Sequence, residues 1–194
     1  AIGALVGAGI APRVLAALGK PEAVDASRWM VLVPGLDEQV TTPSLGRGTR
    51  VAGGELMVVP HSFGRSDRLL PRDDRPIARL EIVLHPRSGP LVVNLVPPKN
   101  ANAGITSLWL TPGGWEDPSG TAVAVPPDEP AVMVNDGGTV SAVWSSGSAP
   151  LTRQPPGSVE LSAEDQAVRI LSIRAEDAAG AVILDERWSG ATVP

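Results

Sequence analysis

From Pro21 onward, turn-forming residues interrupt the chain so often that only short extended segments fit between them. The chain has 21 glycines and 20 prolines. Proline lacks a backbone donor and fixes φ, which ends helices and interior strands, while glycine accepts the positive φ of tight turns. The intervening runs are apolar or alternate with period two. In residues 79–85, Leu80, Ile82 and Leu84 fall on one face and Arg79, Glu81 and His85 on the other. Strands are expected at 29–33, 79–85, 91–96, 105–110, 123–125, 131–134, 139–144, 159–163, 166–175 and 181–188. A further strand at 51–59 is expected to be interrupted by Gly53 and Gly54. Asn135-Asp136-Gly137-Gly138 is the strongest hairpin signal. Residues 36–49, 61–76 and 112–118 read as loops. Short strands at this spacing, with no helix after Leu18, predict an all-β fold, an antiparallel β-sandwich or barrel, and the sandwich is the expected form.

At 194 residues, 43% of them hydrophobic, the chain is long enough for one core without staples. Cysteine is absent, which excludes disulfides, thiolate metal sites and thiol catalysis.

Residues 1–19, AIGALVGAGIAPRVLAALG, carry a single side-chain charge, Arg13, and contrast with everything that follows. The apolar run before Pro12 rises only about 16 Å as a helix, roughly half a bilayer core, so it is too short to span alone. It fits the distal end of a membrane helix, with Arg13 reaching to the interface, and Gly3 and Gly7 have the spacing that lets helices approach closely. The chain starts at Ala1 without an initiator Met, so an upstream stretch or a processed terminus is expected. A residual signal-peptide core is a second reading. Gly7-Ala8-Gly9-Ile10-Ala11-Pro12 imitates a dinucleotide fingerprint, but its third glycine is proline and no alternation of strand and helix follows. Residues 1–27 are therefore expected to be an anchor or docking segment with a linker, contacting membrane or partner through Ile2, Leu5, Val6, Ile10 and Arg13, and residues 28–194 the sandwich.

The net charge of −5 is uneven. Residues 1–100 hold twelve Lys and Arg against nine acids, and residues 101–194 hold four Arg against twelve acids. This polarity argues against nucleic acid, which wants a concentrated basic face, and fits oriented docking on a charged partner or membrane surface.

The closing residues AVRILSIRAEDAAGAVILDERW, within 166–188, resemble the last hairpin of concanavalin-like and galactose-binding-like jelly rolls: an apolar strand, an acidic-Gly turn and a final strand with Trp. The resemblance implies a jelly-roll-like sandwich, and carbohydrate binding only by analogy of fold.

Sugars stack on flat aromatic rings, and the chain offers five Trp, one Phe and no Tyr. Trp115, beside Glu116 and Asp117 in a Gly-rich loop, is the expected exposed platform. Trp29, Trp109 and Trp144 lie in apolar strands and are expected in the core. Arg65, Arg68, Arg72 and Arg75, interleaved with Asp67, Asp73 and Asp74, form the expected clamp for an acidic partner or lipid headgroups, against the alternative of self-neutralising pairs. Acidic doublets recur, but no ordered calcium loop is present. His61-Ser62 with Asp67 lacks a nucleophile elbow, and two histidines give no metal-ligand spacing. No catalytic residue, metal or cofactor is therefore expected. The expected role is a non-catalytic accessory or structural subunit of a membrane-associated, extracytoplasmic complex, with protein subunits as partners, lipid or glycan as further candidates, and no nucleic acid. The alternative is a carbohydrate-binding module of the cell envelope.

Overall fold

The computed structural model describes residues 22–32, 48–61 and 65–188, except for the side chains of His61, Arg65 and Ser66. The expected docking contacts Ile2, Leu5, Val6, Ile10 and Arg13 lie outside these residues. No helix among the described residues is long and apolar enough to cross a membrane.

The described chain is all-β. Its strands are β1 (Trp29–Leu32), β2 (Arg50–Ala52), β3 (Glu55–Val58), β4 (Pro60–His61), β5 (Arg65–Ser66), β6 (Arg68–Pro71), β7 (Arg79–Leu84), β8 (Leu91–Val96), β9 (Thr106–Thr111), β10 (Gly114–Glu116), β11 (Ala122–Ala124), β12 (Ala131–Asp136), β13 (Thr139–Trp144), β14 (Gly147–Arg153), β15 (Ser158–Ala163), β16 (Val168–Glu176) and β17 (Val182–Arg187). One sheet has seven strands in the order β1-β6-β15-β8-β9-β10-β11. The other has the order β14-β13-β12-β7-β16-β3-β2, with β17 also on β16, and β4 and β5 form a separate ribbon. Neighbours in both sheets run antiparallel. Long-range pairs are nested, β7 with β16 and β8 with β15.

Alternation builds the core. Leu91, Val93 and Leu95 of β8, Leu108 and Leu110 of β9, and Val159 and Leu161 of β15 face Leu80 and Ile82 of β7, Met133 of β12 and Ile170 of β16 in one buried cluster. Each fully buried Leu or Ile contributes about 1.5–3 kcal/mol. A bulge between Ile170 and Ser172 shifts the phase of β16, so that Ile173 and Ala175 stay inward along with Val168 and Ile170. Gln154, buried at the end of β14, donates to the carbonyls of Leu95 and Gly104 at 3.3 and 2.8 Å and accepts from Thr106, tying the two sheets together.

Several expected loops are strands. Residues 51–59 are two strands, because Gly53 and Gly54 both have positive φ (62° and 75°) and form a two-residue hairpin turn. The expected loop at 61–76 contains β4, β5 and β6, and the turn-rich stretch at 112–118 contains β10. β14 was not expected. It carries Pro150, which an edge strand tolerates. Residues 22–28, within the expected linker, lie against the sandwich: Glu22 exchanges backbone hydrogen bonds of 2.8 and 2.9 Å with Val51, and Val24 is buried.

The edge strand β17 is closed by arginines from two loops, Arg28 ahead of β1 and Arg75 between β6 and β7. Arg28 donates to the carbonyl of Asp185 at 3.3 Å and Arg75 to that of Val182 at 3.2 Å. The same side chains pair with Glu186 at 3.0 Å and Asp177 at 2.8 Å. Backbone groups on an exposed edge otherwise template pairing with another chain.

Candidate functional site

The outer face of the seven-stranded sheet carries a polar row that crosses four adjacent strands. Ser107 of β9 donates to Asn94 Oδ1 of β8 at 2.7 Å, Asn94 Nδ2 donates to Glu160 Oε1 of β15 at 3.1 Å, and Arg68 of β6 reaches Glu160 Oε2 at 3.3 Å. Glu160 is 6% exposed, and these partners compensate its buried charge. The row is therefore rigid and pre-ordered.

Beside it runs a second row. The register sets Ser162 opposite Val92, Val92 opposite Trp109, and Trp109 opposite Glu116. Leu108 and Leu110 point into the core, so Trp109 between them points outward. It is half-buried and belongs neither to the core cluster nor to the side chains packed on it. Glu116 is half-buried on the same face, and directly opposed residues hold their Cβ atoms about 4.5–5.5 Å apart. Among the described residues it is the half-buried carboxylate that no hydrogen bond or ion pair reaches.

This arrangement corrects the expectation for Trp115. In β10 it sits opposite Leu110, inside the sandwich, and is 1% exposed, so it offers no platform. Trp109, expected in the core, takes the outward position. The signal was present in Ser107-Leu108-Trp109-Leu110-Thr111, where period two places the tryptophan on the face away from both leucines. Trp29 is in the core as expected, and Trp144 and Trp188 pack against it.

Asp117 belongs to a turn. Its Oδ1 accepts from the amide and hydroxyl of Ser119 at 2.8 and 2.6 Å and from the amide of Thr121 at 2.8 Å. These bonds, the Ser119 hydroxyl first, hold its pKa below the ordinary value. Asp177 repeats the pattern with the amides of Ala179 and Ala181, in the acidic-Gly turn between β16 and β17.

The expected arginine clamp is dispersed. Arg68 lies on the outer face with Glu160, Arg72 donates to the carbonyl of Ala26, and Arg75 is bound by Asp73 at 2.7 Å and by Asp177. Arg72 and Arg75 thus serve internal ties, Arg75 with Asp73 being a self-neutralising pair and Arg72 a bond to a backbone carbonyl; the side chain of Arg65 is not described.

Other polar clusters are closed. On the outer face of the second sheet, Arg174 pairs with Glu176 and Asp185 at 2.7 and 2.8 Å, and Arg79 with Glu81 at 3.4 Å. Further along, Arg169 forks onto Glu55 at 2.6 and 2.9 Å, with His85 Nε2 at 3.9 Å from the same carboxylate. A cleft of about 200 Å³ opens at one end of the sandwich between Leu84, Thr111, Pro126 and Pro127. The carboxylate at its rim, Glu129, is held by the amide and hydroxyl of Ser145 at 2.7 and 2.6 Å.

Fold and face together define a two-sheet antiparallel β-sandwich with one outer face closed by ion pairs and the other carrying an outward tryptophan. No family model, curated protein or solved structure matches the chain.

Proposed function

We propose that this chain is a non-catalytic accessory module of a larger, membrane-associated extracytoplasmic assembly, attached through its apolar opening segment and receiving a partner on the outer face of the seven-stranded sheet. The observation that carries the reading is Trp109, an aromatic side chain held outward on a rigid strand beside a pre-ordered polar row. A large ring that contributes nothing to the core is available for a contact. The buried carboxylates support a non-catalytic role: Glu55 is held by Arg169, Glu160 by Arg68 and Asn94, and Asp67 accepts from the Thr49 amide at 2.6 Å. Nested pairing of β7 with β16 and β8 with β15 favours a jelly-roll-like sandwich.

The test is purification of the chain from its native membrane in mild detergent, in parallel with a variant lacking residues 1–19 and with Trp109→Ala. The reading expects both changes to remove the same co-purifying proteins. A chain that emerges alone, monomeric and without need of detergent, overturns it.

Trp109 also favours a second reading, a carbohydrate-binding module, since the register sets Glu116 opposite the tryptophan and Asn94 one same-face position further along β8. Glycan-array binding that is lost in Trp109→Ala would support it.

A further inference from the structure

We infer that Trp109 and Glu116 form a receptor for an arginine side chain presented by a protein partner. The inference rests on the accessory-module reading and names the chemistry that its docking face recognises.

The argument begins with the carboxylate. Glu116 is half-buried in β10, directly across from Trp109, and among the described residues no hydrogen bond or ion pair reaches it. Its counterpart in the neighbouring row, Glu160, shows what this face does with a charge it means to keep: Arg68 and Asn94 neutralise it. On the outer face of the second sheet the carboxylates are paired with arginines in the same manner. A half-buried charge without a partner is left partly desolvated and uncompensated, so the ligand that gains most there is a cation.

The tryptophan narrows the choice. An indole face attracts a cation through its quadrupole, and the planar guanidinium of arginine can lie flat on the ring while its N–H fork reaches a carboxylate alongside. The register opposes the two positions on adjacent strands, with Cβ atoms about 4.5–5.5 Å apart, close enough for one guanidinium to reach both side chains. The local charge is complementary as well: β9, β10 and β11 together carry Glu116 and no Lys or Arg. The cation nearest along the polar row, Arg68, is already committed to Glu160. Val92, opposite Trp109 on its other side, gives the aliphatic stem of the guest an apolar floor.

The experiment uses the full 194-residue chain labelled with ¹⁵N. Its indole N–H signals are followed during titration with a hexa-arginine peptide, with cellohexaose and with phosphocholine, and the Trp109 signal is assigned by its loss in Trp109→Phe. The expected result is a saturable shift confined to the Trp109 indole on addition of hexa-arginine. Affinity should fall at least about tenfold in Glu116→Gln and weaken steadily as salt rises from about 50 to about 500 mM. The indole signals of the other tryptophans report whether each variant is folded, and the salt series on the unaltered chain tests the charge term even if Glu116→Gln does not fold.

No shift with hexa-arginine, or an affinity unchanged in both Glu116→Gln and high salt, overturns the inference. Cellohexaose or phosphocholine moving the Trp109 signal as effectively as the peptide also overturns it, in favour of a glycan or a lipid headgroup. Failure here is distinct from failure of the accessory reading: if Trp109→Ala removes the co-purifying proteins while hexa-arginine does not bind, the docking face stands and its arginine chemistry falls.

Discussion

Trp115 fills the interior opposite Leu110, yet its indole N–H finds no acceptor among the described residues. A buried donor left unsatisfied costs about 1–3 kcal/mol, which offsets part of what the ring gains by burial. Replacement by Phe removes the orphan donor while keeping most of the apolar surface. Trp115→Phe is therefore expected to change stability by about 1 kcal/mol or less, and Trp115→Ala to lose about 3–5 kcal/mol, both read from urea unfolding midpoints. Equal losses in the two variants would mean that the N–H is bound after all. Trp109 differs from Trp115 at this scale only in direction. Their sequence neighbours point the wrong way: Trp109 stands between two leucines yet faces outward, and Trp115 stands between Gly114 and Glu116 yet faces inward. What separates them is which way each strand faces, and that is a property of the element.

At the scale of elements, β10 is three residues long and begins at Gly114, whose φ is 135°. A Cβ at this position would stand 2.2 Å from the carbonyl oxygen of Val123, so β11 can approach only because glycine is there. Gly114→Ala is expected to push β11 off β10 and to lose about 1–3 kcal/mol. Amide exchange should accelerate at Trp115, Glu116 and residues 122–124 and stay unchanged in β12 and β13. Uniform acceleration across both sheets would instead indicate global destabilisation. The same element explains which strands were legible. β7, β8, β12, β13, β16 and β17 combine an apolar alternation with Gly, Pro, Asn or Asp near their ends, and both signals are local. β6, β10 and β14 carry Arg, Glu or Pro and few apolar residues, and their extended state comes from hydrogen bonding to neighbours whose place in the sheet is not written in their own residues. Gly53-Gly54 was readable as a hairpin turn, but the strands on either side of it are so short that they look like one interrupted strand.

For the whole molecule, several carboxylates that hold turns and loops have a depressed pKa. The Ala181 amide first, then the Ala179 amide and Arg75, hold Asp177 below the ordinary 3.8, and hydrogen bonds from Arg75 do the same for Asp73. The Ser145 hydroxyl and amide act likewise on Glu129, as do those of Ser27 on Asp25. Because each folded pKa is depressed, the stabilisation is fully present above the unfolded value and is lost as pH falls through the folded one. The melting temperature is thus expected to be insensitive to these groups near neutrality and to drop below about pH 4, with a shallower drop in Asp177→Asn. A melting temperature that rises on acidification would contradict the sign. Composition, the spacing of glycine and proline, and local alternation were enough to establish an all-β chain, the places where it turns, and the apolar faces of its longer strands, because these depend on residues close in sequence. That Trp115 looks inward, which arginines are consumed by internal ties, and which half-buried carboxylate stands without a partner among the described residues followed from pairing across the sheets. Side-chain direction repeats every two residues, but its phase is set by the partner strand, and a shift of one residue turns every side chain to the other face.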